Sequence, residues 1–421
     1  MYTNTKKNAI YAQSGGVTSV INASASGVIK ACREDFDKIG KLYAANNGIL
    51  GVLNEDLIDT SFESDTDIEL LRYTPGGAFG SCRYKLKNLN TNRKEYERLI
   101  EVFSAHDIEY FFYNGGNDSA DTCLKVSQIA NELGYPIKAI HIPKTIDNDL
   151  VITDNCPGFG SVAKYIAISI KEAGLDLASM YATSTKVFIL ECMGRNAGWI
   201  TASAGLASQH ESEPPHIILF PEIIFDEAKF LAKVEDSVSK FGYCVIAASE
   251  GIKNANGKLI SSSDHTDMFG HAQLGGVAAI LADTVTKNLQ YKCHYAISDY
   301  LQRSARHIAS KTDVEQAYAL GQEGVRLALL GHNAVMSYIK RVSQNPYKWE
   351  IDYVNLTEVA NFEKFMPRNF ISEDGYHITD ICREYIQPLI NGEDYPQYIS
   401  GLPNYVKLKN IKVAKKLDQL N

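Results

Sequence analysis

The chain has 421 residues, of which 50 are acidic and 42 basic, with a formal net charge of -8 and 45% hydrophobic residues. This size allows two or three domains with cores of ordinary size. The acidic balance argues against nucleic acid or a membrane surface as a partner, because both bind to a basic face, and no apolar run reaches the roughly 18 residues of a membrane span.

The first residues and the cysteines predict a cytoplasmic protein. The opening letters MYTNTKKNAIYAQ contain no apolar core of a signal peptide. The eight cysteines are scattered, without a CxxC pair or the spacing of a zinc site. In a chain of this length they are typical of reduced, mostly buried thiols in a reducing compartment.

Short apolar runs alternate along the chain with longer helical patterns. The runs are residues 8–11, 108–113, 137–142, 186–191, 216–220 and 243–248. Strands that alternate with helices form βα units, so the pattern predicts mainly parallel sheets.

One helix can be predicted residue by residue, after the run 108–113. Val126, Ile129, Ala130 and Leu133 are spaced to lie on one apolar face. Gly134, soon followed by a proline, is a typical stop signal. The letters GGNDS therefore fall between a strand and a helix, which is where α/β folds bind ligands.

Glycine-rich or polar stretches follow several predicted strands. QSGGVTSVIN contains Gly15 and Gly16, and PGGAFGSCRYK contains Arg83; such stretches can bring backbone N–H groups and a guanidinium to a phosphate. NGGNDSADT places Asn117 and Asp118 on a Gly-Gly turn. Each stretch also has a purely structural interpretation, as a tight turn, a solvated arginine or a helix cap.

HIPKTIDNDL follows the run 137–142 and contains Lys144, Asp147 and Asp149. It is either an ordinary turn or an active-site loop. Later, ECMGRNAGW and ASEG add Arg195 and Glu250 after further apolar runs. Together the stretches predict a phosphoryl-transfer site, which needs backbone cradles, cations for phosphates, carboxylates for Mg²⁺ and one carboxylate near the acceptor hydroxyl.

These stretches also carry a family resemblance. SGGVTSVIN, GGAFGSCR, GGNDS, PKTIDND, MGRNAGW, SEG and YLQR occur here in the order found in the phosphofructokinase family, and the sequence resembles its pyrophosphate-dependent branch over roughly residues 8–310. TIDND together with MGR is highly specific. The resemblance implies an enzyme that transfers a phosphoryl group from pyrophosphate to the 1-hydroxyl of fructose 6-phosphate, reversibly, in glycolysis or gluconeogenesis.

The resemblance implies a role for each matching residue. It makes Asp147 the acceptor of the hydroxyl proton. The catalytic residues would be Asp147, Lys144, Asp118 and Arg195. The pyrophosphate site would comprise Gly15, Gly16, Arg83 and Lys144. The sugar-phosphate site would comprise Thr145, Asp147, Lys186, Met193, Gly194, Arg195, Glu250, Tyr300 and Arg303.

Two positions set the phosphoryl donor that the resemblance implies. ATP-using members have glycine where this chain has Asp118 and Lys144, and the pyrophosphate branch has Asp and Lys. Side chains at these positions would fill the space around the α-phosphate of a nucleotide. The compact charge of Lys144 can neutralise the departing phosphate.

The sequence departs from the family pattern in two places. Asn117 replaces the usual metal-facing aspartate; an amide oxygen can still bind Mg²⁺ but brings no charge, so Asn117 and Asp149 are the expected metal ligands. His294, preceded by Lys292, stands where many members have a sugar-phosphate arginine. Lys186 matches an arginine that ATP-using relatives contribute from a neighbouring subunit, which implies a homodimer or a higher homo-oligomer.

The implied fold is α/β, with two Rossmann-like parallel-sheet domains facing across a cleft and a mainly helical C-terminal segment packed on both. Residues 1–150 and about 285–330 would bind pyrophosphate. Residues 151–284 would bind fructose 6-phosphate, and residues 331–421 would form the C-terminal segment. Two alternatives remain open, an ATP-dependent 6-phosphofructokinase and a non-catalytic regulatory subunit that binds sugar phosphate.

Overall fold

The computed structural model describes residues 6–86, 89, 91–260 and 276–418. The strands are β1 (Lys7–Gln13), β2 (Ile39–Ala45), β3 (Leu57–Asp59), β4 (Ile108–Gly115), β5 (Lys138–Pro143), β6 (Val187–Cys192), β7 (Ile217–Leu219), β8 (Cys244–Ser249), β9 (Cys293–Ile297), β10 (Val335–Ser343), β11 (Lys348–Asn355), β12 (Tyr398–Ile399) and β13 (Leu402–Pro403).

The helices fill the connections between the strands. The α-helices are α1 (Ile21–Glu34), α2 (Ile49–Leu53), α3 (Asp65–Leu71), α4 (Arg93–Ala105), α5 (Asn117–Glu132), α6 (Phe159–Met180), α7 (Trp199–Ala202), α8 (Glu227–Phe241), α9 (Val277–Leu289), α10 (Asp299–Ser304), α11 (Lys311–Leu329) and α12 (Asp380–Ile386). Short 3₁₀ helices span Thr60–Phe62, Ser203–Ala207, Arg306–Ile308, Leu356–Glu358, Arg368–Phe370 and Gln387–Ile390.

The larger sheet has β1 near its centre. Its strand order in the described residues is β11-β10-β5-β4-β1-β2-β3, and β1, β2, β4, β5 and β10 run parallel, with antiparallel β3 and β11 at the edges. Helices cover both faces, so the side chains of β1 from Ala9 to Ala12 are fully buried. This burial is why the run reads as continuously apolar rather than alternating.

A smaller sheet carries the second half of the site. Its order is β7-β8-β6-β9, with every pair parallel. Residues of about 285–330 were expected to belong to the pyrophosphate-binding domain. For β9 this expectation is wrong, because β9 pairs with β6 in the smaller sheet, directly after α9. The part of this range that packs on the larger sheet is α11, which lies against α1.

The C-terminal segment corrects another expectation. It is not mainly helical, since its longest elements are β10 and β11, a hairpin that extends the larger sheet beside β5. Val, Ile and Tyr occur in both strands and Trp349 in β11, and such residues favour a pleated surface. Beyond β11 the segment crosses to the smaller sheet, where Ile378, Cys382 and Ile386 join its core.

The two sheets are joined through a buried carboxylate. Asp313, in the first turn of α11, accepts hydrogen bonds from the backbone N–H of Gly158 (2.9 Å), the N–H of Ser161 (2.9 Å) and the Ser161 hydroxyl (2.6 Å) at the start of α6. Burial raises the pKa of Asp313 to about 6. A helix N-terminus favours a negative charge, so this contact fixes α6, on the smaller sheet, to α11, on the larger one.

The predicted strands and helix largely agree with the structure. All six apolar runs are strands, with ends shifted by one or two residues. In α5, Val126, Ile129 and Ala130 are buried as predicted, but Leu133 is 43% exposed because the helix has already ended. Gly134 has the positive φ of 68° that a helix stop requires.

Two further sequence expectations concern membranes and thiols. No helix in the described part of the chain is long and apolar enough to cross a membrane. The cysteines are all free thiols, and each of them except Cys293 is buried. Burial raises the pKa of Cys156 to about 12, so this thiol is not a reactive nucleophile.

The contact between α1 and α11 generates a stability prediction. A Cβ added to Gly321 would lie 2.2 Å from the carbonyl oxygen of Ser24, whereas the nearest atoms to one added to Gly324 are side-chain carbons of Ile142 and Ile140, at 3.3 Å and beyond. Gly321→Ala should therefore lower stability by about 1–3 kcal/mol through overpacking. Gly324→Ala, in the same helix, is the matched control and should change stability little. Thermal unfolding of both variants measures the difference, and equal midpoints would contradict the prediction.

Candidate active site

A cleft of about 980 Å³ opens between the two sheets. Parallel strands present their carboxyl ends at one edge, and the loops after β1, β4, β5, β6, β8 and β9 line the cleft. Of the predicted residues, the cleft is lined by Gly15, Gly16, Arg83, Asn117, Asp118, Lys144, Thr145, Asp147, Asp149, Met193, Arg195, Glu250, Tyr300 and Arg303. Gly194 lies just behind the wall, where its N–H donates to Glu250 Oε1 (3.2 Å).

Positive charge is concentrated at the turn after β1. A Cβ added to Gly16 would lie 2.6 Å from Nη1 of Arg303 and 3.3 Å from Nη2 of Arg83, so two guanidinium groups converge on this glycine. Lys144 Nζ donates to the Gly16 carbonyl (2.7 Å). We refer to Gly15, Gly16, Arg83, Lys144 and Arg303 as the cation corner. Like charges held this close repel each other, which favours binding of a compact anion.

Lys144 is the most buried cation of this corner. Its side chain follows β5 directly, and the residue is only 3% exposed. Burial, together with the charges of Arg303 and Arg83, lowers the pKa of Lys144 to about 8. The backbone is fixed by a hydrogen bond from Lys144 N–H to the Gly115 carbonyl (2.9 Å). Lys144 is therefore not the solvent-exposed lysine that an ordinary turn, the alternative interpretation of this loop, would carry.

The second half of the KTIDND loop, residues 144–149, carries two carboxyl groups, those of Asp147 and Asp149. Burial, and next the charge of Asp149, raises the pKa of Asp147 well above its ordinary value. Burial also raises the pKa of Asp149 and of Glu250. The Asp147 N–H donates to Thr145 Oγ1 (3.1 Å), which fixes the turn. A buried carboxyl with a raised pKa is suited to accept a proton near neutral pH.

The loop carries one strained residue that holds it in place. Asn148 has a φ of 56°, which asparagine tolerates better than most residues. Its Oδ1 accepts from the Cys156 N–H (2.9 Å), and its Nδ2 donates to the Tyr385 hydroxyl (3.0 Å). The conformation between Asp147 and Asp149 is thus set by contacts on the far side of the loop from the cleft.

Asp118 lies beside the cation corner at the start of α5. It forms an ion pair with Lys85 (Nζ to Oδ1, 2.7 Å). Lys85 was not among the predicted site residues. Both side chains are partly exposed, so the pair adds little to stability. Its effect on the cleft is to occupy volume and to offset the negative charge of Asp118.

Asn117 requires a correction. Its Oδ1 accepts from the Asn361 N–H (2.7 Å), and its Nδ2 donates to the Phe362 carbonyl. The carboxamide therefore attaches the C-terminal segment to α5, and the interpretation of Asn117 as a metal-facing residue does not hold in this arrangement. An ionised aspartate could not donate to the Phe362 carbonyl, so this contact requires the amide.

Lys186 lies outside this cleft. It directly precedes β6, whereas Met193 follows β6, and a strand of this length separates them by about 20 Å. The Lys186 ammonium lies 5.3 Å from the centre of the Tyr181 ring. Its N–H donates to the Lys292 carbonyl (2.9 Å), so both basic residues lie at the far end of the smaller sheet.

Several cleft residues were missed by sequence analysis. Gln302 accepts from the Met193 N–H (3.1 Å), and Glu363 accepts from Asn196 Nδ2 (3.0 Å) while lining the cleft. Gln302 lies within YLQR and could have been found from that stretch. Glu363 lies far along the chain in NFEKF, where no strand end or glycine turn marks a site.

The carboxylates fit a bound divalent cation only in part. Oδ1 of Asp149 is buried without a hydrogen-bond partner among the described residues, and the charge of Glu363 adds to the repulsion around it. However, within residues 6–86, 89, 91–260 and 276–418 no group of three or more His, Cys, Asp or Glu side chains could hold a metal ion. The protein offers a partial ligand set, which suits an ion that arrives with an anionic ligand.

Comparisons with known proteins agree with these features. The family model described as Phosphofructokinase matches residues 8–328. A pyrophosphate–fructose 6-phosphate 1-phosphotransferase from Halomonas elongata is 63% identical over 412 residues, which cover 98% of both chains. The protein of the same name from Xanthomonas campestris pv. campestris is 60% identical over 415 residues, 98% of this chain and 99% of that protein.

A solved structure is similar along the whole chain. The crystal structure of a pyrophosphate-dependent phosphofructokinase from Nitrosospira multiformis superposes with a TM-score of 0.92 at 63% identity. The match covers 99% of this chain and 100% of the other. The residues after 331, which carry no recognised motif, are therefore included in the similarity.

The contacts of Asn117 generate a prediction about the C-terminal segment. Asn117→Asp removes the donor to the Phe362 carbonyl and sets a carboxylate against that oxygen, so stability should fall by about 1–3 kcal/mol. Asn256→Asp, at an exposed turn position before Gly257, is the control and should be neutral. Thermal unfolding and protease cleavage near residues 361–364 are the measurements. A variant as stable and as resistant to cleavage as the wild type would show that the amide does not hold the segment.

Proposed function

The chain belongs to the phosphofructokinase family, and we propose that it transfers a phosphoryl group from pyrophosphate to the 1-hydroxyl of fructose 6-phosphate. The names of the relatives support both substrates. The observation that carries the choice of donor is the burial of Lys144 in the cation corner, beside Asp118. A compact charge there matches a small inorganic anion better than the extended phosphate chain of a nucleotide.

The geometry of the KTIDND loop supports a direct transfer. Asp147 accepts the proton of the 1-hydroxyl as its oxygen attacks one phosphorus of pyrophosphate. The bridging P–O bond breaks, and the second phosphate leaves with the bonding electron pair. Asp147, with its pKa raised by burial and by Asp149, is able to take up that proton near neutral pH. The same proton can return in the reverse reaction, so transfer is reversible.

The cation corner stabilises the departing phosphate. Negative charge grows on the leaving oxygen during transfer, and preorganised cations interact with it most strongly at that stage. Lys144 Nζ is already fixed by the Gly16 carbonyl, while the guanidinium groups of Arg83 and Arg303 converge on the same glycine. The Gly15 N–H donates to the Cys82 carbonyl (2.9 Å), so the Gly16 N–H is the backbone group of this turn that we assign to the anion.

The sugar-phosphate site is formed mainly by loops of the smaller sheet. The proposed contacts are Met193, Gly194, Arg195, Glu250, Tyr300 and Arg303 there, and Thr145 and Asp147 from the KTIDND loop, which follows β5 of the larger sheet. Glu250 is an acceptor for sugar hydroxyls and is oriented by the Gly194 N–H. The Arg303 guanidinium lies 3.9 Å from the centre of the Tyr300 ring, which fixes its plane. Lys186 and Lys292, remote from this cleft, would act on the cleft of a second subunit, so the enzyme would be a homodimer or a higher homo-oligomer.

Mg²⁺ is the proposed cofactor. When bound, it would neutralise charge on the pyrophosphate oxygens. Asp149 is the residue proposed to hold it, because its Oδ1 is buried and unsatisfied among the described side chains. Asn117 is no longer proposed as a ligand. A cytoplasmic location is proposed as well, in keeping with the free thiols.

The titration of Lys144 generates a prediction about pH. Only the protonated amine can neutralise the donor, and its pKa in the free protein is lowered to about 8. The kcat/KM for pyrophosphate should therefore fall as the pH rises through about 8. Lys144→Met should have a low kcat/KM that lacks this alkaline decline. A wild-type profile that stays flat beyond about pH 9 would contradict the assignment.

The choice of donor is tested with paired variants. Lys144→Gly should lower turnover with pyrophosphate strongly while changing its KM little, because the lost charge acts on the leaving oxygen. Neither Lys144→Gly nor Asp118→Gly alone should use ATP well. The double variant should gain measurable activity with ATP and lose most of its activity with pyrophosphate. Initial rates with both donors are the measurement.

Two results would decide against the proposal. If the wild-type protein were active with ATP but not with pyrophosphate, it would be an ATP-dependent 6-phosphofructokinase. If the purified chain were inactive with both donors, a regulatory subunit would be favoured.

Asp118→Asn separates the two effects of Asp118, since it keeps the volume and removes the charge. An undiminished pyrophosphate rate in Lys144→Gly would remove the main argument for this donor.

A further inference from the structure

Lys364, in the C-terminal segment, directs its ammonium at the back of the KTIDND loop. Nζ donates to Asn148 Oδ1 (3.3 Å), to the Thr153 carbonyl (3.1 Å) and to the Asp154 carbonyl (3.0 Å). We refer to these three oxygen atoms as the oxygen cage. An ammonium carries three donors, so the cage matches its full hydrogen-bonding capacity.

The surroundings hold Lys364 in a single position. Its backbone N–H donates to the Asp149 carbonyl (2.7 Å), and its carbonyl accepts from Trp199 Nε1 (3.3 Å). The ammonium lies 5.5 Å from the centre of the Trp199 ring, where a cation is attracted by the aromatic face. Lys364 is thus bound to the loop by backbone and side chain alike.

The cage has a direct link to the residues of the cleft. Asn148, whose side chain forms part of the cage, lies between Asp147 and Asp149 and has the strained φ of 56°. Its two neighbours point into the cleft. A displaced Asn148 side chain would release this conformation, and the positions of both carboxylates would change with it.

We propose that Lys364 is a positioning residue that takes the place of a bound monovalent cation, and that its ammonium in the oxygen cage holds Asp147 and Asp149 in their working positions. Carbonyl and amide oxygens that converge on one point are the usual ligands of such ions. The lysine supplies that charge as part of the chain, and the residue comes from a part of the sequence that has no family motif. The inference deepens the proposed function, since it names what positions the proton acceptor.

The central variant is Lys364→Ala, which empties the cage but leaves room for a small cation. Its kcat, at saturating pyrophosphate, fructose 6-phosphate and Mg²⁺, should fall by about 100-fold, as expected when a reacting group is misplaced. The KM values should change little, because Lys364 touches neither substrate. A role limited to stability would lower the thermal midpoint without this selective loss of kcat.

Added cations should rescue this variant. Ammonium or n-propylammonium chloride should raise the kcat of Lys364→Ala by about tenfold or more and raise its thermal midpoint by about 2–4 °C through binding to the folded state. Choline chloride at equal concentration has no N–H donor and should do neither. Lys364→Met fills the space with a neutral side chain, so it should lose kcat and respond to none of these salts.

Lys164, whose ammonium is also bound to a backbone carbonyl, provides the matched control. Lys164 donates to the Gly392 carbonyl (2.6 Å) and pairs with Glu393 (3.3 Å), away from the KTIDND loop. Lys164→Ala should lower the thermal midpoint and keep the wild-type kcat, with no rescue by ammonium. This result would separate the loss of any buried lysine from the loss of the one in the oxygen cage.

Three outcomes would overturn the proposal. These are a wild-type kcat in Lys364→Ala or Lys364→Met, a loss of kcat in Lys364→Ala that ammonium does not relieve, and rescue of Lys364→Met to the same extent. If Lys364→Ala does not fold, the kcat of Lys364→Met decides, because its side chain keeps the packing against Trp199. Failure of the proposed function can be distinguished from failure of this inference. In that case the wild type would be inactive with pyrophosphate, whereas ammonium would still raise the thermal midpoint of Lys364→Ala if the cage binds a cation.

Discussion

The carboxylate of Asp313 is the contact on which the geometry of the cleft depends. It lies at the start of α11, which is packed on the larger sheet, and it accepts three hydrogen bonds from the start of α6, which belongs to the smaller one. Each half of the cleft is rigid by itself, because buried parallel strands set the positions of the loops. The distance between the halves has no such support from a shared sheet. The Asp313 carboxylate at the N-terminus of α6 fixes this distance, together with the hydrogen bonds from the Ser310 N–H to the Ser161 hydroxyl and from Asn155 to Gln316.

Charge separation within the cleft explains how an acidic protein can bind two anionic substrates. The net charge of -8 would repel them at long range. Locally, however, the cleft is lined by three cations, Arg83, Lys144 and Arg303, as well as by Asp147, Asp149 and Glu250. Groups of like charge raise the free energy of the empty site, and a ligand of opposite charge relieves it. The repulsion among the three cations is therefore relieved when an anionic substrate binds beside them.

The site residues that could be predicted from the sequence share one property: each lies next to the strand pattern that identifies its position. Lys144 and Asp147 directly follow β5, and Gly16 follows β1, so the strand pattern alone brings them together. Asn117 shows the limit. Its place between a strand and a helix was predicted correctly. Its partners Asn361 and Phe362, however, lie far along the chain, and no periodicity links the two stretches. For the same reason β10 and β11 were not recognised as members of the larger sheet, since their pairing with β5 depends on the whole fold.

The distance in sequence between Lys364 and the KTIDND loop also has a consequence for synthesis. Translation proceeds from the N-terminus, and domains generally fold as they emerge. A ribosome-bound chain that ends before residue 364 already contains every motif of the cleft, but the oxygen cage of Asn148, Thr153 and Asp154 has no cation from the chain. The segment with Lys364 emerges after all strands of both sheets, so in the proposed scheme a nascent chain can assemble both sheets before it has a working cleft.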